Sequence, residues 1–577
     1  MSTSHASTYP DLFGRCVADA IPGILRRQRA DGAIVYDEKA PIVYPQQAIF
    51  PLAYVWAGLD PDRRHHHSTA VRDAIIKLGD HLVSRYNDKG EFTYDSYGNL
   101  VSGVDQRLTY AWTEALRILR EAGGDFAFDR WGDRIVRACE TLIAHRLQRL
   151  VGIRRFIGRI MGTSTNHVSL YVSTIHRAGE VLERPDLCSF VLPIGRALAA
   201  DIHPDGYWEE HGDLLRSGGP TPSYNYLTIK GMGLMYAWTR EAVFRSAIDA
   251  ATRFHARFAY PDASFFDLID ERVRSGHDSA PRVWGLFAFS HSPEGRGAAI
   301  AHFRGWRMHH QHLEDVGPET LARHCENHLY WNPGEVVPAP FERPDHSATM
   351  VLPAGIFRRH AWSIGLSSMR ATNAEDPAYR DNGFALERQK LFSIWHPRTG
   401  LLIDGSHSKH QLENSTFSSL GEYANDWWPC GGSVSEEDGD LIVRAAYKTF
   451  FASVRVTPVD DRTLQLHFSV DPAGCRGPFT AGFTLARSAS QARSLTDQVL
   501  ELSAEAFVAT GKDLGGGFRY GPATISGPDD FSLHWPFAPF NSYTADHKPW
   551  HHDHLLRVSV VLTPERTQAS FTVTMDG

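Results

Sequence analysis

The sequence predicts an α+β multidomain protein, with an N-terminal (α/α) toroid over residues 1–335 followed by a C-terminal antiparallel β-sandwich over residues 345–577. Three observations carry this. From residue 10 to about 335, apolar side chains recur at helical spacing between short loops rich in Gly, Asp and Pro. From about His346 the text turns to alternating, β-branched runs. Between the two lies W-N-P-G-E-V-V-P-A-P-F-E-R-P, 331–344, whose prolines mark a linker. At 577 residues the chain exceeds one ordinary core, so two large domains are expected.

In the first domain Leu108, Trp112, Ala115, Leu116 and Leu119 fall on one helical face, and Ile135, Val136, Cys139, Leu142 and Ile143 repeat the pattern. Similar periodicity covers 70–86, 168–183, 187–201, 226–240, 241–258 and 281–303. No fixed-period motif recurs. Helix follows helix, however, with aromatic-rich loops such as D-G-Y-W and Y-N-Y between them, which predicts paired helices in a toroid whose loops at one end form a cleft. Loop aromatics such as Tyr207 and Trp208 suit the faces of sugars, and suit equally well the gaps between helices. In the second domain K-L-F-S-I-W-H-P-R-T-G-L-L-I-D-G, 390–405, reads as a hairpin turning at Pro397 to Gly400. Further strands are expected at 441–457, 462–470, 478–485, 554–562 and 568–575.

Composition narrows the function. Hydrophobic residues make up 42% and charged residues 22%, a globular balance, and no apolar run approaches the roughly 20 residues of a membrane helix. A net charge of −8 argues against general nucleic-acid binding. The opening MSTSHASTYPDLFG has neither a basic leader nor an apolar stretch, and the six cysteines are scattered without a CxxC pair. A soluble, cytoplasmic protein with reduced thiols is expected. Local charge differs from the average: R-L-Q-R-L-V-G-I-R-R-F-I-G-R, Arg146 to Arg159, holds five arginines, Arg155 among them, enough to line a subsite for an anionic ligand or to form a solvated helix face.

Directly after it, T-S-T-N-H-V-S-L-Y, 163–171, sets Asn166 beside His167 where a helix through Leu170, Tyr171, Ile175, Ala178 and Leu182 begins. Asn is a good N-cap, so Asn166 has a purely structural reading. The following loop, H-P-D-G-Y-W-E-E-H-G-D-L-L-R-S-G-G-P-T-P-S-Y-N-Y-L-T-I-K, 203–230, is too polar and too rich in Gly, Pro and aromatics for a mere connection. It ends with Tyr224 and Tyr226 at the start of another helix. Helix ends that share a cleft would bring Asn166, His167 and one of these tyrosines around a single ligand atom.

With these residues the sequence resembles the toroid-plus-sandwich polysaccharide lyases, the alginate lyase and heparinase II/III-like families, in which an Asn-His pair is followed some 55 to 60 positions later by a catalytic Tyr. The resemblance implies β-elimination on a uronate-containing, acidic poly- or oligosaccharide. Asn166 and His167 would donate hydrogen bonds to the sugar carboxylate and stabilise the enolate-like charge left when the C5 proton departs. Tyr224 would take or return that proton, with Tyr226 as the alternative; a phenol of ordinary pKa about 10 needs nearby cations to act as a base. Tyr207, Trp208, Glu209, Arg155 and Arg370 would contact substrate, as further carboxylate ligands would Arg358 and Arg359. A sandwich residue crossing to the cleft is also implied, and D-G-S-H-S-K-H-Q-L-E-N-S-T-F, 404–417, offers His407 first and His410 second. The chemistry requires no cofactor; some members hold a structural zinc, for which His407, His410, Asp426 and Cys430 lack tight ligand spacing.

Three rivals remain at this stage. A toroid glycoside hydrolase would draw on Asp205, Glu209, Glu210 and Asp213, but an inverting pair stands about 6.5–9.5 Å apart across the bond, which adjacent Glu209 and Glu210 do not readily supply. A uronate C5-epimerase would share the residue set, and a non-catalytic carbohydrate-binding protein would need none of it.

Overall fold

The computed structural model describes residues 9–37, 43–96, 99–212, 218–272, 281–371, 381–421, 426–472, 477–503 and 505–576. The chain forms two compact units. The first comprises Met1–Ile202, Tyr224–Arg253 and Arg282–Val337; the second comprises His203–Ser223, Phe254–Pro281 and Pro338–Gly577. Two segments inside the helical half of the sequence thus pack with the sandwich.

The first unit is built from helices, among them Tyr9–Arg26, Thr69–Arg85, Gln106–Glu121, Phe128–Leu142, Thr165–Val181, Pro185–Ala200, Pro222–Thr239, Pro293–His309 and Pro318–Leu329. Gln106–Glu121 starts where Asp105, in extended backbone, accepts from the amides of Arg107 and Leu108 at 3.0 and 2.8 Å. Its apolar face, Leu108, Trp112, Ala115, Leu116 and Leu119, is buried as the spacing predicts. Thr165–Val181 turns back as Pro185–Ala200, and the pair approach so closely that a Cβ on Gly179 would stand 2.6 Å from Cys188 Sγ. The single helix expected at 281–303 is interrupted: Leu286–Phe289 ends before Ser292, whose hydroxyl accepts from Gly295 N at 3.1 Å and starts Pro293–His309 with proline in its first turn. Charges buried among these helices are paired, Lys230 Nζ with Glu326 Oε1 at 2.7 Å and Arg117 Nη2 with Glu114 Oε2 at 2.8 Å.

The second unit contains two antiparallel sheets. One runs, neighbour by neighbour, 507–510, 532–537, 555–562, 479–485, 400–403, 392–396, 362–367, 354–359 and 347–349, with 417–419 also paired to 479–485. The other runs 499–501, 491–494, 517–520, 523–526, 568–575, 463–471, 451–458, 440–446 and 431–437. Alternation decides the faces: in Thr463–Asp471, Leu464, Leu466, Phe468 and Val470 are buried, in register with Val456 and Val454 of the next strand. One apolar core takes side chains from both sheets, including Trp362, Phe392, Phe483, Phe518 and Phe571. The expected hairpin forms, pairing His396 with Gly400, whose φ of +66° suits glycine. A smaller core joins Tyr207, Phe254, Phe258 and Phe266 to Ile356, Met369 and Trp395, which is how the two helical-half segments attach to this unit. Among the described residues no helix is long and apolar enough to cross a membrane.

Candidate active site

The helical unit places Asn166 and His167 in the first turn of Thr165–Val181 and Tyr224 in the first turn of Pro222–Thr239. The two helices touch one turn further on, where Ser169 Oγ lies 3.4 Å from Leu227 O and a Cβ on Gly231 would stand 2.8 Å from Ser169 Cβ. Asn166 precedes Ser169 by three residues and Tyr224 precedes Leu227 by three, so both helices lead back from this contact to the turns that carry the amide, the imidazole and the phenol.

Asn166 is not the cap. Ser164 holds that position, with extended backbone and no side-chain cap bond, and its hydroxyl donates instead to Asn166 Oδ1. Asn166 is 1% exposed. With Oδ1 engaged by a donor, the amide is oriented so that its Nδ2 hydrogens face away from Ser164, and no described residue accepts from them. His167 is half-buried; its Nδ1 meets Thr163 Oγ1 at 3.2 Å, and its ring centroid lies 6.1 Å from that of Tyr171. Tyr224 is also half-buried.

Two expectations in this unit are corrected. Tyr226 does not present its hydroxyl to a ligand: it is buried, stacked on Phe289 at 5.6 Å, and its OH is 2.7 Å from His302 Nε2. Burial pushes its phenol well above the ordinary value, the wrong direction for a base. Arg155 is engaged by Asp201, Nη1 to Oδ2 at 3.1 Å, a carboxylate that also accepts from Phe156 N at 2.6 Å. Its charge serves to hold the chain here.

In the sandwich unit most expected ligand contacts prove to be interior. Tyr207 is buried against His203, their rings stacked at 4.3 Å, and donates to Gly218 O at 3.3 Å. Trp208 and Glu209 are buried beside it at 1% exposure each. These are the plugs, not the platforms, of the two readings. Glu210 is ion-paired with Arg272, and Asp205 accepts from Val351 N at 2.9 Å; Asp213 lies outside the described residues. His407, expected to be catalytic, is wholly buried: Gln389 N donates to Nδ1 at 3.4 Å, and Nε2 meets Leu268 O at 3.0 Å. Burial pushes its pKa down to about 3, so it is a neutral structural imidazole with both nitrogens occupied by backbone. His410 remains half exposed, with Nδ1 3.4 Å from Glu387 Oε1. Arg370 is exposed, whereas Arg359 is fork-bonded to Glu436, Nη2 to Oε2 at 2.8 Å, and Arg358 Nη1 donates to Glu342 O at 3.0 Å.

Much of the donor-rich 404–417 loop is therefore a buried network. Lys390 Nζ reaches Thr484 Oγ1 at 2.6 Å and pairs with Asp404 at 2.5 Å, and Asp267 accepts from Gly405 N and Tyr260 OH, each at 2.7 Å. The zinc set does not converge: His407 is occupied as described, Asp426 accepts from Thr449 N and Oγ1 at 2.9 and 2.6 Å, and among the described residues no cluster of three His, Cys, Asp or Glu side chains is placed to hold a metal. One titratable group escaped the sequence reading. His211 Nδ1 is 2.9 Å from Glu271 Oε1, its Nε2 is 3.2 Å from Asn382 Nδ2, and Arg388 Nη2 stands 3.3 Å from Glu271 Oε2. A carboxylate that fixes one imidazole nitrogen sets the tautomer presented by the other. The loop signalled His211 only by its density of polar residues, because Glu271 and Asn382 lie 60 and 171 positions away.

No protein-family profile and no curated protein matches this chain. Solved structures do. A Streptomyces coelicolor A3 chondroitin AC lyase in complex with chondroitin sulphate superposes with a TM-score of 0.52 at 14% identity, covering 100% of this chain and 81% of that one. Heparinase III gives 0.51 at 11% identity, covering 100% and 86%. A Paenibacillus xanthan lyase gives 0.52 at 10% identity, covering 100% of this chain and 58% of that one. This chain accordingly has the helical-toroid-plus-antiparallel-sandwich fold of these polysaccharide lyase structures.

Proposed function

We propose that the chain is a lyase that cleaves uronate-containing oligo- or polysaccharides by β-elimination, with Asn166, His167 and Tyr224 as its catalytic residues. The observation that carries this reading is the orientation of Asn166: its carbonyl oxygen is held by Ser164, and its amide hydrogens remain as donors at the start of the helix that touches the Tyr224 helix. A uronate carboxylate accepting from Asn166 and His167 loses much of its resistance to further negative charge. The C5–H bond then breaks toward Tyr224, the electron pair spreads into the carboxylate, and expulsion of the O4 substituent forms the C4=C5 double bond. The leaving oxygen takes a proton from Tyr224 or from water. Nothing in this scheme calls for a cofactor.

The lyase structures that share the fold support the reaction class, and the unbridged Cys16, Cys139, Cys188 and Cys325 fit a cytoplasmic enzyme acting on imported fragments. The experiment is a panel of uronates followed by ultraviolet absorbance of the unsaturated product. Wild-type chain is expected to generate it from at least one member, and Tyr224→Phe to lose turnover by about 100-fold or more with binding retained. Chain cleavage without a new chromophore would favour a hydrolase, solvent-proton exchange without cleavage an epimerase, and either would displace the lyase reading.

A further inference from the structure

The arginine-rich stretch that precedes the Asn-His pair separates into two kinds of residue. Arg155 is half-buried and engaged by Asp201. Arg146 and Arg149 are exposed, and among the described residues no carboxylate lies within ion-pair distance of either.

Their backbone is unusual as well. Arg146 belongs to a π-helical turn, Ile143–Leu147, and Arg149 to the short 3-10 turn Gln148–Leu150 that follows it. π-helical turns are rare and frequently mark functional sites. Here the side chain of Arg149 reaches the segment just before the Asn166–His167 turn. The Arg149 guanidinium lies over Gly162, Nη1 3.3 Å from where a Cβ would stand, and Gly162 adjoins Thr163, whose hydroxyl meets His167 Nδ1 at 3.2 Å. Tyr171, one turn along the same helix, registers both cations: burial raises its phenol, and Arg146 and Arg149 oppose that rise. Asp105 acts on the same phenol in the opposite sense, but it is committed to the amides of Arg107 and Leu108.

We propose that Arg146 and Arg149 form an anion subsite beside the Asn166–His167 turn, which takes a second acidic group, a carboxylate or a sulfate ester, on the sugar adjoining the one held by Asn166 and His167. The identity of the ligand as a sugar acid rests on the lyase reading; the anion subsite itself is tested by binding alone. The preferred substrate is then a glycan with acid on successive sugars, and guanidinium forks suit either acid.

Calorimetric titration of the full chain with three oligosaccharides of matched length tests this: a homopolyuronate, an unsulfated chain alternating uronate with neutral sugar, and the same alternating chain sulfated. The double variant Arg146→Ala/Arg149→Ala is expected to lose roughly tenfold in affinity for the homopolyuronate, the sulfated chain or both, with a shallower salt dependence, while the unsulfated alternating chain changes less than about twofold. Which ligand suffers identifies carboxylate or sulfate as the second acid. Arg154→Ala, an exposed neighbour, serves as control and should leave all three within about twofold. Equal losses for all three ligands, no loss for any, or the same losses from Arg154→Ala would overturn the subsite. A chain without turnover that still shows the selective loss would sink the lyase reading alone, and turnover without the selective loss would sink the subsite alone.

Discussion

Replacing Tyr226 by Phe separates the two tyrosines that the sequence left as alternatives. Tyr226 is 1% exposed, its ring stacks on Phe289 at 5.6 Å, and its hydroxyl is 2.7 Å from His302 Nε2. Phenylalanine keeps the ring and its packing, so no cavity of consequence opens, and the cost is that of one buried hydrogen bond. Such a bond contributes about 0.5–1.5 kcal/mol net, and stripping a buried partner of its mate raises the cost to about 1–3 kcal/mol. His302 cannot recover by taking up a proton near neutral pH, since burial pushes its pKa down to about 3. Tyr226→Phe should therefore lower the urea midpoint by the equivalent of about 1–3 kcal/mol at unchanged slope, with turnover per folded molecule near wild type. Tyr224→Phe should show the reverse, a midpoint shifted by less than about 0.5 kcal/mol with turnover lost. Both variants need only a denaturation curve and the ultraviolet assay at saturating substrate. Full activity in Tyr224→Phe, or an inactive but undiminished Tyr226→Phe, would refute the assignment of Tyr224 as the base.

Two further outcomes test the units separately. In the helical unit, Gly79→Ala would set a Cβ 2.1 Å from Cζ2 of the buried Trp131, and overpacking of this kind should cost about 1–3 kcal/mol, read as a lower melting temperature and a changed near-ultraviolet tryptophan signal. In the sandwich unit, burial alone would raise the pKa of Glu271, but Arg388 and His211 outweigh it and hold the carboxyl at about 2, against an ordinary value of 4.5. The unfolded chain then binds this proton more readily, so the stabilisation is fully present above about pH 4.5 and is lost as pH falls toward 2, a difference of about 3 kcal/mol at most. Urea midpoints taken at falling pH should decline through this window in the wild type and less steeply in Glu271→Gln, and equal slopes would show that the ion pair is not the cause.

The fold was legible because period is a local property. The strand at Thr463–Asp471 and the helix at Gln106–Glu121 each state in their own apolar spacing which face is buried. What the sequence hides are features whose partners are remote: nothing local to Tyr207, Phe254 or Phe266 states that these aromatics pack with Ile356 and Trp395 of the strands. At the candidate site the same distinction applies. Asn166, His167 and Tyr224 could be placed because they open helices, and helix ends are visible in sequence. For His407, Tyr207, Trp208, Glu209 and Arg155 residue type states what a side chain can do but not which way it faces, and Tyr226 opens the same helix as Tyr224 yet faces inward; His407 is claimed by a carbonyl 139 positions away. His211 is hidden for the same reason, its partners Glu271 and Asn382 lying 60 and 171 positions away.

The chain changes unit after Ile202, Ser223, Arg253, Pro281 and Val337. A fragment cut at the proline-rich junction would carry Tyr207, Phe254, Phe258 and Phe266 without the strands that enclose them, and would expose a ready nucleus for aggregation. Neither half is thus a portable cassette: gene fusion or recombination at that junction has to move both together, and the interleaved threading makes a protein with two cores a single inheritable object.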